Sequence, residues 1–239
     1  MADEEVFDVS KLFGRDRASD YDGDIRRRIP GYEALHTTAF AMLSGRLASD
    51  ARLLLVGAGT GHEMLLLAQA RPDWRLLGVD PSVDMLAIAQ QKFIAAGVSG
   101  RVEARPGTVA DLPSTELFDA ATALLVMHFL PDDQSKRDFL NSIARRLKTG
   151  ALFLIADLTG QPGTPEFEVL FAAWLMHCRL MHGLDVDEEA MAKEFAMRRA
   201  RPGWIDEPRH LELFAEAGFD APLRFWSGLL FSAWAMTKR

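Results

Sequence analysis

The residues with the plainest chemical meaning are Gly57, Ala58, Gly59 and Gly61, in the run Val56-Gly57-Ala58-Gly59-Thr60-Gly61-His62-Glu63. Glycine lets the chain turn tightly and lets a ligand touch bare backbone. A helix starting near Gly61 offers free N–H groups and the positive end of its dipole. About twenty residues further on stands Asp80, followed by Pro81. A carboxylate there, at the end of the next strand, can accept both ribose hydroxyls of an adenosine cofactor. Spacing narrows the choice. A pyrophosphate fingerprint reads G-x-G-x-x-G, whereas this turn reads G-x-G-x-G. S-adenosylmethionine (SAM) has no pyrophosphate and needs only the close turn, so the spacing favours SAM over a nicotinamide dinucleotide. Ser82 is a good N-cap for the helix that follows. Met85 or Leu86, just inside it, can lie against the adenine or pack in the core.

Other residues offer weaker signals. His128 follows an apolar run and is the best candidate for a general base. A histidine near its ordinary pKa can take a proton from a hydroxyl or an amine. The competing reading is a histidine that bonds locally and shapes the pocket. Asp157 ends a later run; it either touches substrate or caps the next segment. Tyr21 and Tyr32 flank Arg26-Arg27-Arg28 in an N-terminal segment expected to fold over the cofactor. A tyrosine there can bond the methionine end of SAM, and Arg26 can pair with its carboxylate. Either tyrosine can equally serve packing. His177, Cys178 and His182 do not make a metal site, because the histidines are five apart and miss the i, i+4 face. No metal is expected.

These residues need elements to hold them. Arg52–Val56 is a short apolar run ending at glycine, as in a buried parallel strand. Four more strand-like runs follow: Trp74–Val79, Arg101–Ala104, Phe118–Met127 and Ala151–Asp157. Helical patterns separate them over His62–Arg71, Ser82–Ala96 and Asp133–Leu147, the last closed by Gly150. Strands and helices in alternation imply right-handed crossovers and a parallel sheet covered on both faces. A helix over 32–48 precedes this core. Two more, Phe167–Met181 and Asp187–Arg201, interrupt the alternation. After Pro208 a helix runs to Ala217. Phe219–Trp226 and Leu229–Met236 then form a hairpin turning at Ser227-Gly228. The expected fold is a doubly wound α/β sheet of seven strands, mostly parallel, with a C-terminal antiparallel hairpin. We expect one domain: a helical N-terminal lid (1–48), a cofactor-binding core (50–157), an inserted helical cover over the substrate site (160–205) and the final helix and hairpin (206–239).

At these motifs the sequence resembles the Rossmann-like class I SAM-dependent methyltransferases. The glycine turn resembles their first motif, and Asp80 their ribose-binding acid. Pro106-Gly107-Thr108-Val109-Ala110-Asp111-Leu112-Pro113 resembles their adenine-recognition segment. There the family often has aspartate where this chain has Thr108, so either Thr108 or Asp111 is implied to meet the adenine amino group. Leu125-Val126-Met127-His128-Phe129-Leu130 resembles the loop over the sulfonium. A narrower likeness links Arg26–Tyr32, Phe129-Leu130-Pro131 and Phe225–Phe231 to carboxy-SAM synthases. These make carboxy-SAM from SAM and prephenate for wobble-uridine modification of tRNA. The likeness implies that Arg198 or Arg199 holds a carboxylate, although the glycine motif and residues 198–210 depart from that family. A homodimer is implied by resemblance alone.

Bulk properties set the outer limits. The 239 residues are 49 % hydrophobic and 26 % charged, values of a globular protein. No apolar run reaches the roughly 18 residues that span a bilayer, and Met1–Glu5 is too acidic for a secretory signal. The single Cys178 fits a reducing cytoplasm. A net charge of −7 argues against direct nucleic-acid binding and leaves a small molecule as the expected acceptor.

Overall fold

A computed structural model describes residues 15–183 and 187–239. Residues 1–14 of the expected lid lie outside it. Two helices, α1 (Arg15–Arg28) and α2 (Tyr32–Ser44), precede the alternating core. The core runs β1 (Arg52–Val56), α3 (His62–Ala70), β2 (Arg75–Asp80), α4 (Val83–Ala95), β3 (Val102–Pro106), β4 (Phe118–Leu124), α5 (Asp133–Ala144) and β5 (Leu147–Leu158). Then come α6 (Pro165–His182), α7 (Glu188–Arg199), α8 (Glu207–Glu216), β6 (Phe219–Gly228) and β7 (Phe231–Lys238).

The seven strands form one sheet in the order β3-β2-β1-β4-β5-β7-β6. The pairs from β3 to β5 are parallel, and β7 is antiparallel to both β5 and β6. The doubly wound sheet with its terminal hairpin is therefore as the sequence pattern predicts. The chain order reverses between β1 and β4, which makes the crevice beyond their C-terminal ends the place for a ligand.

Strand residues alternate between two buried layers. Leu53 and Leu55 of β1 join Leu154 of β5 on the face covered by α2, α3 and α6. Leu54 and Val56 join Phe153 and Ile155 on the face covered by α5 and α8. Both faces are thus apolar, as a central parallel strand demands.

Several boundaries differ from the sequence pattern: β4, expected to reach Met127, ends at Leu124, α2, expected to reach residue 48, ends at Ser44, and two further shifts have a clear cause in pairing. The helix expected to reach Leu147 ends at Ala144, and β5 already begins at Leu147, which pairs with Phe118. Both are buried, and the carbonyl of Arg146 accepts from Phe118 N at 2.9 Å. Gly150, at φ 79°, therefore lies inside the strand region, not at a helix end. The hairpin also turns later than expected. Ser227 and Gly228 pair with Ser232 and Phe231, so Leu229-Leu230 is the turn, with Leu229 at φ 52°. Gly228 serves packing: a Cβ there would meet Pro30 O at 2.9 Å.

Gly78 does the same for the glycine turn. It sits in β2, where a Cβ would meet Met64 Sδ at 2.4 Å and Ala58 Cβ at 2.8 Å. The turn after β1 can settle onto β2 only because that position is bare. Gly78→Ala should lower stability by about 1–3 kcal/mol through overpacking. Urea denaturation checks this, and an unchanged midpoint would count against the packing account.

Candidate active site

The turn at 57–61 is built on left-handed glycines. Gly57, Gly59 and Gly61 have φ of 77°, 53° and 77°, a region side chains rarely adopt. Each bare position has its own reason. A Cβ on Gly57 would strike Val126 Cγ2 at 2.3 Å, and one on Gly61 would strike Phe93 at 2.7 Å. Gly61 thus lets α3 approach α4, and it does not line the cavity below. Gly59 has no close neighbour, so its bareness faces open space.

Asp80 fastens this turn. Its Oδ2 accepts from Gly59 N at 2.8 Å and its Oδ1 from Ser82 N at 2.9 Å. Burial nevertheless pushes its carboxyl above the usual aspartate range. Each oxygen keeps a further lone pair for an outside donor. Ser82 caps α4 as its residue type predicts, accepting from Met85 N at 3.2 Å.

A cavity of about 170 Å³ opens over this clamp. Gly57, Gly59, Asp80, Pro81, Met85, Thr108, Val109, Leu125 and Tyr21 line it, with Val126, Phe129, Leu130 and Phe139. One end is carboxylate and bare backbone; the rest is apolar. That combination suits a nucleoside with a ribose diol. Leu86 is buried and is not part of the lining. Asp111 stands behind the wall, where one carboxylate oxygen accepts from Thr108 N at 2.7 Å and Thr108 Oγ at 2.8 Å. The Thr108 hydroxyl proton is thereby used, so toward any further partner its oxygen can only accept.

Two smaller cavities adjoin the first, and Tyr21 and Leu125 line all three. Leu125 has φ 64°, an uncommon value for a residue with a side chain. One of the smaller cavities, about 40 Å³, lies between the glycine turn and α2, lined by Tyr32, His36, His62 and Glu63 among others. The other, about 50 Å³, lies under α1, α6 and α7, lined by His128, Trp174, Arg28, Arg198 and Arg201 among others.

His128 is held firmly. Its Nδ1 lies 2.5 Å from Asp157 Oδ1, and its backbone N donates to the same oxygen at 3.1 Å. A carboxylate only accepts, so Nδ1 carries a proton; in the neutral imidazole the lone pair is then on Nε2. Asp157 is 1 % exposed and lines none of these cavities; it acts on the site through His128. Behind it, the ammonium of buried Lys136 donates to Leu130 O. Burial lowers the pKa of Lys136, and the charge of Asp157 opposes that shift.

The remaining candidates separate. Arg26 pairs with Glu33 at 2.5 Å, touches His62 and lies over the Tyr32 ring, but lines none of the three cavities. Arg198 lines the cavity that holds His128 and pairs with Glu194 at 2.7 Å. Arg199 points away to Glu168 at 2.6 Å and is 45 % exposed. No cluster of three metal-ligating side chains occurs among the described residues. His182 bonds Cys178 O and Asp24 instead.

The sequence pattern missed Glu63, His36, Trp174 and Arg201. For Glu63 a signal existed: it stands one helical turn before Leu66 and Leu67, a charge on the apolar side of α3. For the others the signal is tertiary, since α2, α6 and α7 bring them in from distant parts of the chain.

Comparison with known proteins agrees with this geometry. Residues 53–150 match the family model described as a methyltransferase domain. A carboxy-S-adenosyl-L-methionine synthase of Campylobacter concisus is 31 % identical over 62 % of this chain and 63 % of its own length. A demethylmenaquinone methyltransferase of Lactiplantibacillus plantarum is 35 % identical over 54 % of each chain. The chain therefore spans less than two thirds of the curated relatives it matches. Among solved structures, geranyl diphosphate C-methyltransferase from Streptomyces coelicolor superposes with a TM-score of 0.59 at 13 % identity, covering 87 % of this chain and 80 % of that one. The core of the chain is thus similar to methyltransferase domains, and its fold is one that solved methyltransferases share.

One electrostatic prediction follows from Glu63. Burial pushes its carboxyl from near 4.5 up to about 7. Between those values the folded state holds a proton that the unfolded state has lost, so this residue's contribution weakens as pH rises through that window. Glu63→Gln should stabilise the ligand-free protein by on the order of 2 kcal/mol at pH 8 and by little at pH 4.5. Denaturation at both pH values checks it; an equal effect at both would refute it.

Proposed function

We propose that this protein transfers the methyl group of SAM to a small-molecule acceptor. The observation that carries the reading is the continuity of two sites. The cavity over the Asp80 clamp adjoins the one holding His128, with Tyr21, Leu125 and Phe129 lining both. In this reading Asp80 accepts the ribose hydroxyls, the bare backbone of Gly57 and Gly59 lies along the sugar, and Pro81, Met85 and Val109 enclose the adenine. Thr108 Oγ accepts from the adenine amino group, with Asp111 orienting it.

When bound, SAM supplies an activated methyl group on a sulfonium, and the chemistry is an in-line displacement. The protein's part is to align the nucleophile and exclude water. His128 Nε2 takes the acceptor's proton, while Asp157 fixes the ring and stabilises the imidazolium. Phe231 and Trp174 supply apolar walls, and Arg28, Arg198 and Arg201 give this side of the site its cationic groups. In this assignment α1, α6 and α7 form the cover. Asp22 of α1 pairs with Lys92 and bonds Thr60 of the glycine turn, and Trp174 Nε1 donates to Arg28 O at 2.8 Å. These bonds support the division into lid, core and inserted cover.

A second reading has a specific support. The carboxy-SAM synthase relatives and the placing of Arg198 fit an enzyme that holds a carboxylate added to SAM, in the service of tRNA modification. Mass spectrometry of small molecules released from the purified protein separates the two: SAM or S-adenosylhomocysteine supports the first, carboxy-SAM the second. A protein that binds SAM and turns over nothing is a third outcome of the same measurements. Buried Cys178 supports a cytoplasmic location. Exposed Val169, Met176 and Leu180 on α6 support a homodimer. Among the described residues no helix is long and apolar enough to cross a membrane.

Asp80→Ala should weaken S-adenosylhomocysteine binding, expected at micromolar level, by about 30-fold or more through loss of two charge-assisted hydrogen bonds. Calorimetry reads this, and unchanged affinity would refute the cofactor assignment. Once an acceptor is found, His128→Ala should lower kcat about 10²–10⁴-fold with SAM affinity preserved. Asp157→Asn should follow in the same direction. Full turnover by His128→Ala would leave the histidine only a shaping role.

A further inference from the structure

We propose that Glu63 is the seat of the ligand's ammonium group, and thus that this protein selects its cofactor by the amino-acid end as well as by the nucleoside. The proposal rests on the SAM reading above and adds a residue to it.

The case begins with two buried atoms that have nothing to bond. Glu63 Oε1 is sealed from solvent and has no hydrogen-bond partner, and neither has His36 Nδ1. Buried polar atoms are nearly always paired, and a buried carboxylate is costly without a cation. Both residues line the same 40 Å³ cavity, next to Gly57, Ala58 and Gly59. Gly57, Gly59, Tyr21 and Leu125 also line the nucleoside cavity, so an elongated ligand with its ribose on Asp80 has its other end here.

The groups around that end decide its chemistry. From α1, Asp22 is engaged by Lys92 of α4 and by Thr60, and Arg26 by Glu33 of α2. From α2, Tyr32 is held in its neutral form by burial, and His36 is pushed down to about 3. His62, beside Glu63 on α3, is also lowered by burial and by Arg26. From β4, Thr122 is the polar neighbour that eases the ionisation of Glu63, though its hydroxyl makes no full hydrogen bond. At neutral pH the lining of the cavity therefore offers one group able to carry negative charge, Glu63, and one unpartnered neutral acceptor, His36. A primary ammonium presents three donors and one positive charge, which matches that pair. Its arrival also returns to Glu63 the counter-charge that burial denies it, so the carboxyl ionises as the ligand binds.

Two ligands separate the amino-acid end from the rest. S-adenosylhomocysteine carries the ammonium; 5′-methylthioadenosine keeps the nucleoside and sulfur and lacks the amino acid. In the unmodified protein, S-adenosylhomocysteine affinity should fall about eightfold between pH 7.5 and 6.0, as Glu63 takes up a proton the bound state excludes. The ligand's own amine stays largely charged in that range, and 5′-methylthioadenosine should show no such loss. Glu63→Gln should weaken S-adenosylhomocysteine at least tenfold at pH 7.5, remove its pH dependence and leave 5′-methylthioadenosine binding unchanged. That last binding also shows that the variant is folded. Equal pH response for both ligands in the unmodified protein, or equal losses for both in the variant, overturns the role of Glu63 alone. Binding of neither ligand to the unmodified protein overturns the cofactor reading beneath it.

Discussion

Asp80 holds three pieces of chain together with two hydrogen bonds. It ends β2, accepts from Gly59 in the turn after β1, and accepts from Ser82 at the start of α4. A carboxylate so placed fixes the backbone of the glycine turn relative to the next helix. It does so at a cost, since burial opposes its charge. The rest of the site is arranged around that clamp. Gly78 is bare so that Ala58 and Met64 can sit against β2, and Gly61 is bare so that α3 can approach Phe93 of α4.

Above the clamp, α1 acts as a strap whose charges are mostly spent on holding it down. Asp22 reaches Lys92 and Thr60, Asp24 reaches Arg28 and His182, and Arg28 also reaches Glu194. Exposed pairs of this kind are worth little, but a linked set of half-buried ones fixes a segment's position. Tyr21 is thereby set where the three cavities meet. The same logic explains the chemistry-bearing pair. Asp157 is fully buried, and its Oδ1 meets the backbone N and ring of His128 and the backbone N of Leu158, so it is turned to the histidine and lines none of the three cavities.

Stability and function pull apart at Glu63. A buried carboxyl without a cation weakens the empty protein, and an apolar residue there would pack better. Its place in the first turn of α3, beside His36 with its own unpartnered nitrogen, suits the ammonium guest proposed above.

What the sequence determined alone was the part written in short-range pattern. Short apolar runs located the five parallel strands, and β1 matches its predicted bounds at Arg52–Val56. G-x-G-x-G with Asp80 one strand later located the glycine turn and the carboxylate that fastens it, because turn, strand end and helix start follow one another along the chain. The boundaries that shifted did so for long-range reasons. Leu147 left its helix to pair with Phe118, and Gly228 stayed in the ladder because Pro30 packs on it. Tertiary structure alone decided which of several plausible side chains meet. Arg198 rather than Arg199 faces the cavity, Asp157 turns to His128, and Arg26 is consumed by Glu33. Local pattern fixes which way a residue faces relative to its own element, but an active site is a meeting of faces from different elements. Only packing chooses that meeting.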